Sequence, residues 1–344
     1  MIVNKKDKML SQDEKYMKEC FKLALKGYGR VSPNPMVGCV VLDRNLKVVS
    51  KGYHHKYGEN HAERDALLKL ENDEAKDGTL YVNLEPCSHF GKTPPCVDLI
   101  IEKGIKRVVI GMKDVNPKVN GITKLHQAGI EVTEGILEEE AKFLNRVFIK
   151  NITKKLPYVV LKTATTMDGK IGTKNGDSKW ITSDKSRDKV YKMRKEFDCI
   201  MTSSNTVIAD NPKMEHKFKC ILDKNIRIPK NSKIFEQGDF YVATKKNTPI
   251  VDGQLDVKAV LQELYKQGIY NVFVECGGTL AGYMLKNRLI DEVYQFIAPK
   301  ILNDNSGLSC FNGNIIAKIS KAQNLKIYST ELVGVDLLIK SLII

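Results

Sequence analysis

The stretch EPCSHFGKTPPC, residues 85–96, places two cysteines on either side of a short polar loop. Two thiols held in this way suit a disulfide, a structural metal site or a catalytic metal site. Upstream, the segment HAE adds His61 and Glu63. His61, Cys87 and Cys96 form a three-ligand set for zinc, and a catalytic zinc site keeps its fourth position for water.

Glu63 favours the catalytic interpretation. It lies two residues beyond His61, in the first turn of a predicted helix, close to the metal without being needed as a ligand. Zinc lowers the pKa of bound water from 15.7 to about 7, and a nearby carboxylate can pass that proton to the substrate. Zinc nucleobase deaminases use this arrangement to expel ammonia from an amidine-like carbon. The alternative, a structural zinc site, would take His89 as its fourth ligand.

The spacing departs from the C-x-x-C of the nucleobase deaminases, because eight residues separate Cys87 from Cys96. Gly91 and the pair Pro94–Pro95 suit a loop that folds back on itself. Two thiolates and an imidazole favour zinc over iron.

Length, cysteine content and net charge limit the number of domains, the compartment and the class of partner. A chain of 344 residues predicts two domains. The N-terminus lacks a secretory signal and no apolar run reaches membrane-spanning length, so we expect a cytosolic protein. In that compartment a close cysteine pair favours metal over a disulfide, and the other six cysteines are expected to be buried free thiols. The net charge of +14 is spread along the chain without a basic run, which favours solvated faces over a nucleic-acid partner.

Strands and helices alternate along the first part, which predicts an α/β layered domain. The expected elements are helix 12–29, strands 36–42 and 48–54 as a hairpin, helix 61–70, strand 78–86, helix 96–104, strand 105–112, and a helix–glycine–strand unit over 122–135. A Lys-rich link before Pro157 places the boundary near residue 155, giving domains 1–155 and 156–344.

The second part is again α/β. Its segment VFVECGGTLAG, residues 272–282, predicts a strand, a glycine pair and a helix that starts at Thr279. Gly277 and Gly278 permit close backbone approach, and the free N–H groups of the helix suit a phosphate-bearing cofactor. The segment is not G-x-G-x-x-G, so a Rossmann site is not indicated, and an ordinary strand–turn–helix unit is the alternative.

PNPMVGCVV, HAE and EPCSHFGKTPPC resemble the deaminase half of the bifunctional riboflavin-biosynthesis deaminase–reductase family. LKTATTMDGKIG, DSKWIT, TSSNTVIADNP, VECGGTLAG and FIAPKIL resemble its reductase half. The resemblance implies an N-terminal cytidine-deaminase-like three-layer α/β/α domain and a C-terminal dihydrofolate-reductase-like α/β domain. It implies zinc-dependent deamination of 2,5-diamino-6-ribosylamino-4(3H)-pyrimidinone 5′-phosphate, then NADPH-dependent reduction of the ribosyl group to ribityl.

The resemblance also implies roles for single residues. Asn34 would contact the pyrimidine, and His89 and Lys92 are candidates for the phosphate or ribose. NADPH would be held by Ala164, Trp180, Thr206, Asp210, Gly277, Gly278, Thr279, Leu280, Ala281, Gly282 and Tyr283. The reductase substrate would face Ser178, Arg194, Met214 and Glu275, with Lys162 near the reacting sugar carbon as an electrostatic or proton-donating group.

One segment departs from the family pattern. Lys217 stands where the family has a substrate-binding arginine, Lys224 replaces a serine associated with NADPH, and the stretch 213–222 is shortened. Lysine keeps the positive charge but lacks the bidentate fork of arginine. Two alternatives follow, a deaminase with a vestigial reductase domain and a nucleic-acid deaminase. We expect zinc and NADPH as cofactors, a phosphorylated pyrimidine as the substrate, no nucleic-acid or membrane partner, and a homo-oligomer.

Overall fold

The computed structural model describes residues 10–71, 73–91, 93–313 and 316–344. Its contacts separate two compact units, one ending at Lys154 and the other beginning at Lys155.

The elements of the first unit follow the predicted order. They are α1 (Gln12–Leu25), β1 (Gly38–Leu42), β2 (Val48–Tyr53), α2 (Ala62–Leu67), β3 (Thr79–Leu84), α3 (Cys96–Glu102), β4 (Arg107–Met112), α4 (Gly121–Gln127), β5 (Glu131–Thr133), α5 (Glu138–Leu144) and α6 (Arg146–Lys154). Two predicted helices are shorter than expected. Helix α1 gives way to turns after Leu25, and α2 lasts only six residues because a turn begins at Leu68.

The five strands of the first unit form a sheet in the order β2-β1-β3-β4-β5. The hairpin β1–β2 is antiparallel, as predicted, and β3, β4 and β5 run parallel. Alternate residues of β1 enter opposite cores: Val40 packs with α1 residues such as Met17, whereas Val41 packs with Ala66 of α2 and Ile100 of α3. The sheet therefore lies between two helical layers, and the predicted three-layer arrangement is confirmed.

The second unit contains the remaining elements. They are β6 (Tyr158–Thr166), β7 (Lys170–Gly172), α7 (Asp184–Arg194), β8 (Cys199–Ser203), α8 (Ser204–Asp210), β9 (Phe218–Leu222), β10 (Asp239–Ala243), β11 (Ile250–Val251), β12 (Gln254–Leu255), α9 (Val257–Lys266), β13 (Asn271–Glu275), α10 (Gly278–Lys286), β14 (Glu292–Ala298), β15 (Leu308–Ser309), β16 (Leu325–Val333) and β17 (Asp336–Ile343). Short 3₁₀ turns occur at Lys233–Phe235 and Ile319–Lys321.

Eight strands of this unit form one sheet in the order β10-β9-β8-β13-β6-β14-β17-β16. The pairs from β10 to β14 are parallel, and β17 and β16 add an antiparallel edge. Helices α9 and α10 cover one face, where Leu261 and Met284 join the main core, while Val207 of α8 packs with Ile200 on the other face. This confirms the predicted α/β class.

The cysteines are all free thiols in the described residues. Of the six expected to be buried, Cys20, Cys39, Cys199 and Cys220 are, whereas Cys276 and Cys310 are half-buried. No helix among the described residues is long and apolar enough to cross a membrane.

Gly52 sets the distance between α2 and the sheet. A Cβ atom at this position would overlap the Ala62 carbonyl oxygen and would lie 2.5 Å from the Ala66 nitrogen. Both contacts are backbone atoms of α2, so they cannot move aside as a flexible side chain would. The close approach allowed by glycine thus places the helix that carries His61 at its start.

We expect Gly52→Ala to destabilise the first unit by about 1–3 kcal/mol, because overpacking pushes α2 away from β2. Urea unfolding followed by circular dichroism measures the change. Gly313→Ala is the matched control, since a Cβ there meets no atom within 4 Å. Equal stability of the two variants would contradict this account of the packing.

Candidate active sites

The first site lies where α2, β3 and α3 meet. His61 is the N-cap residue of α2, Cys87 follows the end of β3, and Cys96 is the first residue of α3. His61 Nδ1 lies 3.4 Å from Cys87 Sγ and 3.6 Å from Cys96 Sγ. The three ligand atoms all lie within 4.8 Å of one another. A tetrahedral zinc ion would separate a nitrogen and a sulfur ligand by about 3.6 Å, so these residues fit zinc.

The electrostatics of the two thiols also suit a cation. The Cys96 thiol donates toward the Cys87 sulfur and lowers the pKa of Cys87 to about 4, against the effect of burial. The same hydrogen bond, together with burial, raises the pKa of Cys96. The backbone N–H of Cys96 also points at Cys87 Sγ, at 3.3 Å. Metal binding replaces such a shared proton and takes both sulfurs as thiolates.

Glu63 lies beside this cluster and is only 3% exposed. Burial, reinforced by the neighbouring Cys87, raises the pKa of its carboxyl to about 7. Among the described residues the candidate metal cluster contains His61, Cys87 and Cys96 but neither Glu63 nor His89. The geometry thus favours a three-ligand site over the four-ligand structural alternative.

A cavity of about 250 Å³ opens above the cluster. Of the predicted residues, Asn34, His61, Glu63, Cys87 and His89 line it. Lys92 lies outside the described residues. His89 Nδ1 is buried without a hydrogen-bond partner in the described structure, which leaves it available to a ligand.

Sequence reasoning did not identify His54, Asp114 and Asn116, which also line the cavity. His54 Nδ1 lies 2.9 Å from the Asn60 carbonyl oxygen, and its Nε2 lies 3.1 Å from Asn34 Nδ2. The sequence did carry a signal for the other two. Asp114 and Asn116 follow β4, which pairs in parallel with the strand that precedes Cys87, so both strands end at the same edge of the sheet.

Glu85 links the two loops at this edge of the sheet by hydrogen bonds. Its carboxylate accepts hydrogen bonds from the backbone nitrogens of Asp114 and Ile122, both at 3.1 Å. Ser88 adds a bond from the Asn120 nitrogen to its hydroxyl, at 2.8 Å. The cysteine loop and the loop after β4 are therefore held against each other.

The second site is built on the central strands of the other unit. Lys162 of β6 and Glu275 of β13 are partners in the parallel register, and their charged groups lie 3.4 Å apart. Arg194, at the end of α7, binds the same carboxylate with Nε and Nη2, at 2.6 and 3.1 Å. Burial alone would raise the pKa of Glu275, but the charges of Lys162 and Arg194 lower it to about 2.

The other predicted residues of this site lie on several different elements of the second unit. Ala164 follows Lys162 on the same half-exposed face of β6, and Asp210 ends α8 with its carboxylate 3.9 Å from Lys179. The side chain of Lys217 is 71% exposed, and its Nζ lies 3.8 Å from the Asp198 carboxylate.

Met214 is 6% exposed and packs in an apolar cluster of α8 and β9, so its burial does not support the predicted substrate contact. Four further predicted positions are occupied by Ser178 and Trp180 before α7, Thr206 in α8, and Lys224 after β9.

The glycine turn before α10 has two different uses. Gly277 is its N-cap residue, and a Cβ there would meet no atom within 4 Å. A Cβ at Gly278 would overlap the Ser309 carbonyl oxygen, and one at Gly282 would overlap that of Asn312. A side chain therefore has no room at Gly278 and Gly282, which serve internal packing, whereas the space beside Gly277 is open. The rest of the predicted cofactor turn, Thr279, Leu280, Ala281 and Tyr283, lies within α10.

Comparison with known proteins gives a family match for each of the two units. Residues 10–112 match the cytidine and deoxycytidylate deaminase zinc-binding region, and residues 157–339 match the RibD C-terminal domain. Fold and site thus define a zinc-type deaminase joined to a reductase.

The similarity extends over nearly the whole chain. The riboflavin biosynthesis protein RibD of Actinobacillus pleuropneumoniae is 38% identical over 361 residues, covering 96% of each chain. A crystal structure from Thermotoga maritima, a diaminohydroxyphosphoribosylaminopyrimidine deaminase/5-amino-6-(5-phosphoribosylamino)uracil reductase, is 39% identical with a TM-score of 0.82, covering 96% of this chain and 99% of that one. Acinetobacter baumannii RibD is 33% identical with a TM-score of 0.83, covering 97% and 99%. The chain belongs to the RibD family of riboflavin biosynthesis and is a bifunctional deaminase and reductase.

We expect Cys96→Ser to lower zinc affinity by more than about 100-fold, since loss of an outer-shell partner alone lowers it 10–100-fold. Metal content after dialysis against a weak chelator measures this. His89→Ala is the control and should retain zinc. Zinc loss in the His89 variant would restore the four-ligand structural interpretation.

The buried Glu275 predicts an acid-sensitive second unit. Its pKa falls from 4.5 to about 2 on folding, so its stabilising contribution is complete above pH 4.5 and is lost as the pH falls toward 2. A pKa shift of this size contributes about 3 kcal/mol to the free energy of unfolding. We expect Glu275→Gln to be less stable than the parent protein at pH 7, with the difference narrowing below pH 4.5. Urea unfolding followed by Trp180 fluorescence measures it, and a constant difference at every pH would contradict the ion-pair account.

Proposed function

We propose that residues 1–155 hydrolytically deaminate 2,5-diamino-6-ribosylamino-4(3H)-pyrimidinone 5′-phosphate, and that residues 156–344 then reduce the ribosyl group to ribityl with NADPH. The observation that carries the proposal is the triangle of His61, Cys87 and Cys96 beside the buried Glu63 at one cavity. The substrate is supported by the double name of the related Thermotoga maritima enzyme.

In the first unit, His61, Cys87 and Cys96 would hold zinc, and Glu63 would move the protons. A zinc ion bound there would supply a Lewis acid that activates water. Glu63 would take a proton from water and deliver it to the departing amino group, so that water and the aminopyrimidine would become the pyrimidinedione and ammonia. Its burial excludes competing solvent from this proton.

Asn34 would recognise the pyrimidine, and His54 would orient it. The contact with Asn60 places the His54 proton on Nδ1, which leaves Nε2 to accept from Asn34 Nδ2. The Asn34 carbonyl oxygen is then the acceptor available to an amino or ring N–H of the substrate. His89, with its unpartnered Nδ1, would bind the ribose or phosphate.

In the second unit, Lys162 would act at the reacting sugar carbon. When bound, NADPH would supply a hydride to that carbon, with the sugar in its open-chain imine or aldehyde form. Lys162 donates a proton to the imine nitrogen or aldehyde oxygen, where negative charge develops. Glu275 stays ionised between two cations, so it holds Lys162 and Arg194 in place and does not itself supply the proton. Because the fork of Arg194 binds Glu275, Lys217 and Ser178 are the better candidates for the substrate phosphate.

The dinucleotide would lie along the ends of the parallel strands of this unit. Gly277 gives it open backbone at the start of α10, and helix N–H groups there suit its phosphates. Ala164, Trp180, Thr206 and Asp210 would complete the cofactor site, with the remaining residues of the 277–283 turn. We also propose a cytosolic homo-oligomer that acts on small phosphorylated pyrimidines and not on nucleic acid.

We expect Glu63→Gln to keep zinc and to lose ammonia release by at least about 100-fold, the size of general acid–base catalysis. The same variant should still oxidise NADPH when it receives the deaminated pyrimidine phosphate. Asp210→Ala is its counterpart and should impair NADPH oxidation while ammonia release persists. An indophenol assay follows ammonia, and absorbance follows NADPH.

Two outcomes would contradict the proposal. Zinc loss in Glu63→Gln would make Glu63 a ligand and not the proton carrier. Parent protein that releases ammonia without oxidising NADPH would show that residue 217 and the shortened segment leave the reductase inactive.

A further inference from the structure

Trp180 is the only tryptophan of the chain, and it is 61% exposed. A large apolar side chain in this position would ordinarily be mobile, because few neighbours restrain it. The segment around it, 180–183, is nevertheless tied to three separate parts of its own unit.

The first tie is to Lys300, just after β14. Its Nζ donates to the Trp180 carbonyl oxygen at 2.7 Å. The carbonyl oxygen of Lys300 in turn accepts from the Met167 nitrogen at 2.7 Å, which fixes this lysine to the turn after β6. A charged donor makes this bond stronger than a neutral one would be.

The second tie is to Arg187 of α7. Its guanidinium carbon lies 4.3 Å from the centre of the Trp180 ring, a cation–π geometry. Its Nη1 donates to the Thr182 carbonyl oxygen at 2.9 Å. One face of the indole is thereby covered by Arg187.

The third tie is to Asp336, at the start of β17 and 1% exposed. Its Oδ2 accepts from the Ser183 nitrogen at 2.8 Å, the Ser183 hydroxyl at 2.7 Å and the Ser186 hydroxyl at 2.6 Å. The carboxylate thus caps the start of α7 from the opposite end of the chain. Burial would raise the pKa of Asp336, but these bonds and the charge of Lys300 lower it.

The hairpin turn before Asp336 approaches the same helix start. Gly334 has a φ of +67°, and a Cβ there would lie 3.3 Å from the Ser183 hydroxyl. The turn between β16 and β17 therefore packs closely against the segment that carries Trp180.

We propose that Lys300, Arg187 and Asp336 are positioning residues of the reductase, which hold Trp180 with one indole face covered and the other presented to the dinucleotide. This inference rests on the proposed function of the second unit. It assigns a task to the C-terminal hairpin and to the segment after β14, which lie far from Trp180 in sequence.

The sole tryptophan makes the test direct. We expect Lys300→Met to raise the acrylamide quenching constant of Trp180 about two- to threefold in the protein without NADPH, because the indole gains local freedom. Energy transfer from Trp180 to NADPH then gives the dissociation constant of NADPH. This constant should rise about tenfold, because the variant loses a charge-assisted hydrogen bond. Ammonia release should not change.

Four further variants sharpen the result. Lys326→Met, an exposed lysine on β16 of the same sheet, should match the parent protein in both readings. Ser183→Ala combined with Ser186→Ala removes two donors to Asp336 without altering the buried carboxylate, and it should reproduce the Lys300→Met effect. Arg187→Lys should retain more of the NADPH affinity than Arg187→Met does, because lysine keeps a cation over the ring.

Unchanged quenching in Lys300→Met and in the double serine variant would overturn the proposal. It would also be overturned if quenching rose while NADPH affinity stayed the same. Failure of the proposed function has a different signature, in which the parent protein itself shows neither energy transfer to NADPH nor its oxidation.

Discussion

Parallel strands that lie side by side end at the same edge of their sheet, and the chemistry of each unit depends on this constraint. In the first unit β3 and β4 bring Cys87 and Asp114 to one edge. In the second unit β6 and β13 place Lys162 directly beside Glu275. Residues far apart in the chain thus meet without any long loop to hold them. The helices that start at these edges add backbone N–H groups, as Cys96 does toward Cys87 Sγ.

The two sites treat a buried carboxylate in opposite ways. Glu63 lies beside the cysteine sulfurs, so burial and the negative charge of the Cys87 thiolate raise its pKa to about 7. Glu275 lies between an arginine and a lysine, which lower its pKa to about 2. A carboxyl that titrates near neutrality suits proton transfer, whereas one that stays charged suits the placement of cations. The surroundings of each residue, and not its type, separate these roles.

Close backbone packing places the groups around both sites. Gly52 lets α2 rest on β2, which sets His61 and Glu63 against the cysteine loop. In the second unit Gly278 and Gly282 make room for the backbone of Ser309 and Asn312, whereas the space beside Gly277 is open. A glycine-rich motif can therefore reflect internal packing as much as phosphate binding. The ties of Trp180 to Lys300 and Asp336 add a constraint from the C-terminal strands.

The sequence by itself determined the α/β class, the order of the elements in the first unit and the candidate metal set His61, Cys87 and Cys96, because periodicity, turn residues and ligand chemistry are local properties. It also located Glu63 in the first turn of α2. It did not reveal His54, Asp114 or Asn116 at the cavity, the fork of Arg194 on Glu275, or the burial of Met214. Those features depend on which strands become neighbours and which helix faces pack. Only the tertiary structure decides this, because such contacts join residues that no local pattern relates.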